Sequence, residues 1–413
     1  MTTIYKFIML SFIVVFALPG RAQEQSLNHY LKEAAENHPG VQAAYHEYYA
    51  ALEKVPQVGA LPDPKLSFGY FASPVETRLG PQQAKISVSQ MFPWFGTLKK
   101  QEKAFAEQAK AQYQQFLSRK NEVYKNVKMK WLELYKVNEA IRITKENLDV
   151  FQSLKQITQR NYETGKTEMT DVLRLDINIR EQENKLKDLQ ERLSTVKTEF
   201  NLLMNKNETA EINVPGTIAT DTFDLRAYRD SVRSNPDLTA LKHKEKALEH
   251  QYEVAKKKGY PSISLALDYA IIGERQDMQV ANSGRDVIMP MVGISIPLYR
   301  KKYDAMKKEK ELQLKAVQSK QQNTINALSA KYKAAEEQYV DAMRKVYLYK
   351  EQTRESERIY NLLKTNYSAD GNNFYELLKT RLMVLKYELK LEKARADQNR
   401  AVAKLEFLTH QKQ

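Results

Sequence analysis

From Thr97 to Val214 the chain holds no proline and one glycine, Gly165. From Leu298 to Gln413 it again holds no proline and one glycine, Gly371. Proline removes a helical hydrogen-bond donor and glycine costs backbone entropy. Their absence over more than a hundred residues permits helices far longer than those of compact domains. A single interior glycine in each stretch predicts a single reversal, hence two long helical hairpins. A helix from Leu98 to Thr164 is about 100 Å long at 1.5 Å per residue.

The apolar residues in these stretches keep coiled-coil spacing. Val172, Ile179, Leu186, Leu193 and Phe200 step by seven, and Leu175, Leu189, Val196 and Leu203 occupy the companion positions, with Gln182 a polar interruption. Val127, Leu134, Ile141 and Leu148 form a second seam. Leu377, Val384, Leu391 and Leu405 form a third, interrupted by Gln398. Alternating steps of three and four place an apolar stripe along each helix, so these helices pack lengthwise on one another.

The chain also states its plan twice, at a spacing of roughly two hundred residues. Asn37-His38-Pro39 matches Ser234-Asn235-Pro236, and Pro62 before Lys65–Tyr70 matches Pro261 before Ser262–Tyr269. Phe92-Pro93-Trp94-Phe95 matches Ile296-Pro297-Leu298-Tyr299. Asn161-Tyr162, leading to Asp171-Val172-Leu173, matches Asn366-Tyr367, leading to Glu376-Leu377-Leu378. The same order of four anchors reads as a duplication, with repeats over 23–213 and 214–413. Each repeat opens with a helical segment (Ser26–Val55; Leu225–Lys258) that restarts at Pro39 or Pro236, since proline suits a first helical turn.

Alternation marks two strands in each repeat, about 65–70 and 84–92, then 262–269 and 288–296. Leu66, Phe68 and Tyr70 share a face, as do Ile86 and Val88. Ile263, Leu265, Leu267 and Tyr269 alternate in the second repeat, followed by Val292, Ile294 and Ile296. Ala72–Gln83 and Ile271–Val287, rich in turn formers and charge, are expected to be exposed loops. Four strands cannot close a barrel, and an open sheet in lipid would leave backbone groups unpaired. Two arrangements remain open from alternation alone. Several copies pool their strands in a membrane, or a small soluble sheet caps a helical rod.

Lys6, the apolar run Phe7–Leu18 and the small residues before Ala22 predict a secretory signal peptide over residues 1–22, with the mature chain starting near Gln23. Loss of Lys6 and Arg21 lowers the formal charge from +14 to +12. The charge is mixed along helices, as in Lys307–Glu311, and reads as solvated helix faces rather than a nucleic-acid surface. With no cysteine there are no disulfides, thiolate metal sites or lipid-bearing cysteine. The six histidines lack metal-ligand spacing, and no phosphate loop, nucleophile elbow or cofactor box is present. The sequence offers no catalytic, cofactor or resident-metal site, and an enzyme is not expected. Met278, Met289 and Met291 lie near the second strand pair, where packing or lipid contact is the expected role and contact with a soft metal in transit the alternative.

Two tandem units of helix, strand pair and long hairpin resemble the TolC-type outer-membrane efflux proteins over the whole mature chain. The most specific residues are Tyr162-Glu163-Thr164-Gly165 with Thr170-Asp171-Val172-Leu173, and their counterpart from Tyr367 to Leu378. Gln90-Met91-Phe92-Pro93 and Ile294-Ser295-Ile296-Pro297 are the second signature. Gly59–Pro64 and Ser89–Trp94 resemble the branch serving heavy-metal efflux.

The resemblance implies a mainly α protein with a small β part, a tandem repeat of coiled-coil hairpins with four transmembrane strands per protomer. A homotrimer would close a twelve-stranded barrel in the outer membrane of a Gram-negative bacterium, continued as an α-helical tunnel across the periplasm. The stretch Asn205–Asp224 would lie in a mid-tunnel belt. The implied partners are a periplasmic adaptor (membrane fusion) protein, an inner-membrane pump of the resistance-nodulation-division type, and outer-membrane lipid. The implied role is a passive duct exporting heavy-metal cations, or else drugs, detergents or secreted polypeptides. A periplasmic coiled-coil adaptor or a scaffold without a pore are the non-channel alternatives.

Within the resemblance, the hairpin tips dock the adaptor, which points to Tyr162, Thr164, Gly165, Lys166, Tyr367 and Gly371. For the two glycines a helix reversal is itself sufficient reason. The family's closing latch of an acid and a tyrosine falls on Asp171 and Tyr367. Its cationic partner falls on Asn372, a departure from the family pattern. Glu376 matches an acid that, repeated by symmetry, would form an anionic ring selecting cations. Ordinary exposed carboxylates near a helix N-terminus are the alternative for both acids.

Overall fold

A computed structural model describes residues 27–410 apart from 215, 217, 219 and 221; the expected signal peptide and the start of the mature chain lie outside these residues. The first repeat contains α1 (Leu27–Asn37), α2 (Pro39–Gly59), β1 (Lys65–Thr77), β2 (Gly80–Phe92), α3 (Thr97–Glu163) and α4 (Met169–Leu203). A short α5 (Leu225–Tyr228) and a 3-10 turn at Arg229–Ser234 open the second. It continues through α6 (Pro236–Lys257), β3 (Ser262–Ile272), β4 (Val287–Ser295), α7 (Arg300–Asp370) and α8 (Phe374–Thr409).

The helices without proline or glycine reach the expected lengths, 67 residues in α3 and 71 in α7. Both proline restarts are present. His38 caps α2 by accepting from the Gly40 N–H with Pro39 in the first turn, and Asn235 caps α6 through the Asp237 N–H with Pro236 after it. One helix runs further than expected, because α2 carries Pro56 inside it and ends only at Gly59.

Packing follows the seams. Val127, Leu134, Val196 and Phe200 join Tyr30, Trp131 and Met204 in a core between α1, α3 and α4. Leu328, Tyr332, Tyr339, Val402 and Leu405 form the matching core between α7 and α8, with Phe223 and Val232 from the link. Gln182 and Gln398, the two polar interruptions, are both buried. Where α3 of the first repeat meets α8 of the second, the contact includes polar pairs: Lys128 pairs with Glu406 at 2.8 Å, Tyr135 donates to Glu392, and Asn147 donates to Glu388 at 3.2 Å. Burial pushes the Tyr135 hydroxyl upward, and the Glu392 carboxylate adds to the shift.

The strands form one antiparallel sheet in the order β1-β2-β3-β4, so the two repeats meet at the β2–β3 pair. The first hairpin is longer than the alternation indicated. β1 and β2 continue through most of Ala72–Gln83, leaving a turn at Arg78-Leu79. Pro74, Gly80 and Pro81 made this segment read as a loop. Pro74 sits in the register shift between Tyr70 and Val75 on an edge strand, where a missing N–H disturbs no ladder. The loop of the second repeat is retained between Ile272 and Val287.

Candidate functional site

The register sorts the sheet into two unlike faces. One row runs Leu66, Val88, Leu267, Pro290 and another Phe68, Ile86, Tyr269, Ile288. Gln90, Leu265, Val292 and Phe92, Ile263, Ile294 follow on the same face. The opposite face carries Ser67, Ser87, Asp268, Met289 and Lys65, Ser89, Ala266, Met291. Lys85 and Asp268 form an ion pair on that polar face.

Among the described residues no helix packs across either face of the sheet. The apolar face is therefore open, with Leu66 and Tyr70 each 73% exposed and Val292 70%. A surface of this kind is ordinarily removed from water by a partner or a membrane. Among the described residues no helix is long and apolar enough to cross a membrane, and no group of histidine, aspartate or glutamate is placed to hold a metal ion. Met289 and Met291 stand on the polar face, opposite the apolar rows. Both outer edges of the sheet, on β1 and β4, are unpaired among the described residues.

At the far end the two hairpin tips meet in one apolar cluster containing Phe151, Leu154, Leu175, Tyr360, Tyr367, Phe374 and Leu377. Each reversal turns on a left-handed glycine, Gly165 at φ 72° and Gly371 at φ 76°. The first tip is a Schellman stop: the Gly165 N–H donates to Tyr162 O at 2.9 Å and the Lys166 N–H to Asn161 O at 2.8 Å. The second is the simpler left-handed stop, with the Gly371 N–H on Tyr367 O at 3.0 Å. Asp370 then accepts from the Asn372 backbone N–H at 2.9 Å, and that bond, aided by the Asn372 side chain, holds the Asp370 carboxyl below its usual range.

The residue four places before each glycine points inward. In the first tip this is Asn161, and in the second it is Tyr367. The matched pairs Asn161-Tyr162 and Asn366-Tyr367 are thus out of phase by one position at the tips. Tyr162 is 46% exposed while Tyr367 is 0% exposed. The extra residue before Gly371 rotates the helix by about 100° relative to its stop. Asn161 Nδ2 donates to Tyr367 O at 3.2 Å, and Lys166 Nζ donates to Ala369 O at 3.1 Å, which locks one tip onto the other.

The structure does not bring Asp171 and Tyr367 together within the protomer. The Tyr367 hydroxyl, enclosed in the tip core, donates to Thr158 Oγ1 at 3.1 Å. A fully buried O–H needs a partner beside it, and Thr158 is that partner. Asp171 accepts from Thr167 Oγ1 at 2.6 Å and lies 3.7 Å from Arg174. Glu376 is exposed in the first turn of α8 and lies 3.5 Å from Lys379. Thr164, Lys166 and Asn372 are exposed as well. Sequence reasoning missed Thr158 and Asn161. The signal was available, since Phe151, Leu154, Thr158 and Asn161 continue the three-four spacing of α3 with polar residues in apolar positions.

The outer membrane efflux protein family matches residues 30–204 and 227–409, two segments separated at the link. The chain belongs to this family. It is a family of efflux proteins, not of enzymes, and membership sets aside the adaptor and scaffold alternatives. No curated protein sequence matches the chain. Among solved structures, the outer membrane protein VceC of the bacterial pathogen Vibrio cholerae is similar at 15% identity, covering 93% of this chain and 95% of that one, with a TM-score of 0.76. CusC, described for conformational changes accompanying folding and transmembrane channel formation, aligns at 14% identity over 93% of this chain and 91% of its own, TM-score 0.78. The open-state MtrE outer membrane channel of Neisseria gonorrhoeae gives 13% identity, 93% and 88% coverage, and a TM-score of 0.74. At these identities the likeness establishes the fold: an efflux-channel architecture of long helical hairpins below a small antiparallel sheet.

Proposed function

We propose that three copies of this chain form the passive outer-membrane duct of a tripartite efflux system in a Gram-negative bacterium. The observation that carries the proposal is the sheet: apolar on one face, polar on the other, with β1 and β4 unpaired at its edges. Pairing β4 of one protomer with β1 of the next, three times over, closes twelve strands and leaves no edge in lipid. The apolar rows then face the acyl chains and the polar face lines the lumen, while the helical hairpins extend into the periplasm. A heat-sensitive band of three protomers in the outer-membrane fraction is the expected result; a protomer-sized band from every fraction would overturn the proposal.

At the tips, the exposed Tyr162, Thr164 and Lys166 are the surface offered to a periplasmic adaptor, with an inner-membrane pump of the resistance-nodulation-division type supplying energy. Gly165 and Gly371 shape that surface. Asp171, Asn372 and Glu376 would contribute to the aperture through contacts between protomers, and Tyr367 acts from within the tip core. Bulky substitutions at Tyr162 and Thr164 are expected to abolish adaptor pull-down while the trimer persists; retained pull-down would overturn the docking role.

Heavy-metal cations are the cargo we favour. The segments Gly59–Pro64 and Ser89–Trp94 support this, and so do the thioethers of Met289 and Met291 on the polar face, since thioether sulfur suits soft ions. A deletion strain is expected to become selectively sensitive to copper, zinc, cobalt or silver, restored by the wild-type gene. Broad sensitivity to dyes, detergents and antibiotics would replace the metal reading with a drug duct.

A further inference from the structure

Where the strands pass into the long helices, both repeats place large apolar side chains in the open and follow them with cations. Phe95 and Leu298 are each 76% exposed and Tyr299 is 84% exposed. Lys99 and Lys100 follow in the first repeat, and Arg300, Lys301 and Lys302 in the second. The end of α6 brings further cations to the same level. Lys257 Nζ donates to Phe95 O at 3.0 Å, and Arg300 donates to Gly259 O at 3.2 Å, so these segments form one belt.

Lys99, Lys100, Lys258, Lys301 and Lys302 form no ion pair among the described residues. One or two turns further along α7, Lys307, Lys308 and Lys310 are paired with Asp304, Glu311 and Glu309. Elsewhere on α7, paired lysines such as Lys333 and Lys345 alternate with lysines outside any ion pair among the described residues, such as Lys320 and Lys364. The belt is thus marked by the exposed apolar and aromatic side chains beside its cations rather than by pairing alone. Exposed aromatic side chains beside unpaired cations, at the border of an apolar sheet face, match the chemistry of a bilayer interface: rings at headgroup depth and ammonium groups among phosphates.

We propose that this belt is a collar for anionic phospholipid headgroups of the inner leaflet, fixing the depth at which the barrel sits. The strands that carry the apolar rows lead directly into the belt, from Phe92 to Phe95 and from Ile294 to Tyr299. The proposal rests on the outer-membrane barrel reading above, and the collar supplies a headgroup preference that the barrel alone does not require.

The test uses the full mature protein purified in neutral detergent, with phosphatidylglycerol and phosphatidylcholine as probes and retained lipid counted by native mass spectrometry. The wild type is expected to retain phosphatidylglycerol at least about tenfold over phosphatidylcholine, a preference erased by about 0.5 M NaCl. Replacing Lys99, Lys100, Lys301 and Lys302 together by Gln should bring the two lipids to parity. Lys307→Gln with Lys308→Gln, which removes paired cations, should leave the preference intact. A wild-type protein without headgroup preference, or a fourfold variant that keeps it, overturns the collar. The wild-type and salt measurements decide the matter even if the variant fails to fold. Insertion into vesicles separates the two readings: insertion without preference removes the collar alone, whereas failure to insert into any vesicle removes the barrel with it.

Discussion

The two hairpin tips carry the same signature, an asparagine-tyrosine pair followed by a glycine, yet they are built to different constraints. The first tip buries its asparagine and exposes its tyrosine. The second, with one more residue before the glycine, exposes the asparagine and buries the tyrosine. The glycines differ too. A Cβ on Gly165 would meet nothing within 4 Å, whereas a Cβ on Gly371 would lie 2.8 Å from both the Cβ and the carbonyl oxygen of Lys166. The second tip turns its tyrosine into the shared core and the first turns its tyrosine to solvent. The position of the left-handed residue, not the sequence pair, decides which side chain faces inward.

That comparison can be broken most forcefully at the tyrosines. Tyr367→Ala should cost about 3–5 kcal/mol through the cavity it leaves in the tip core, while Tyr162→Ala should change stability by less than about 0.5 kcal/mol. Equal shifts in the chemical-denaturation midpoint of the two variants would remove the distinction. The glycines give the next largest contrast. Gly165→Ala carries only the left-handed backbone strain, about 1–2 kcal/mol, whereas Gly371→Ala adds the clash with Lys166 and should lose roughly 1–3 kcal/mol more. Limited proteolysis at the tips would report the order.

Tyr367→Phe tests the single hydroxyl. It should lose about 1 kcal/mol, with Thr158→Val in the same background adding little because the bond is already gone. Raised single-channel conductance of Tyr367→Phe would further tie the tip core to the aperture. The smallest effect belongs to Asp370, whose carboxyl is held below its usual range by the Asn372 N–H. The unfolded state binds the proton more readily, so the cap's contribution is present above the ordinary aspartate range, about 3.9, and fades as pH falls through the lower folded value. Hydrogen exchange at residues 371–374 should be faster in Asp370→Ala at neutral pH and approach wild type in strong acid.

Much of this architecture was legible in the sequence. The helix lengths followed from missing proline and glycine, the seams from heptads, and both restarts from Pro39 and Pro236. The apolar face of the sheet followed from alternation at Leu66–Tyr70 and Ile263–Tyr269. What stayed hidden depended on contacts distant in sequence. Pro74 and Pro81 read as loop because their strand hydrogen bonds are judged only against a partner and a register. The exchange of Asn161 for Tyr367 arises from one inserted residue, which similarity between repeats conceals. The bond from Tyr367 to Thr158 joins residues whose proximity depends on both hairpins bending back to the same place.

The sheet also sets a problem for the newborn chain. The helices bury much of their seams within the chain, whereas the strands expose apolar rows and two unpaired edges among the described residues. A solitary, fully folded protomer is therefore a nucleus for strand-to-strand aggregation. In the proposed trimer, productive assembly would have to couple helix folding, meeting of the copies and entry into lipid in time, with the sheet kept shielded until the last of these.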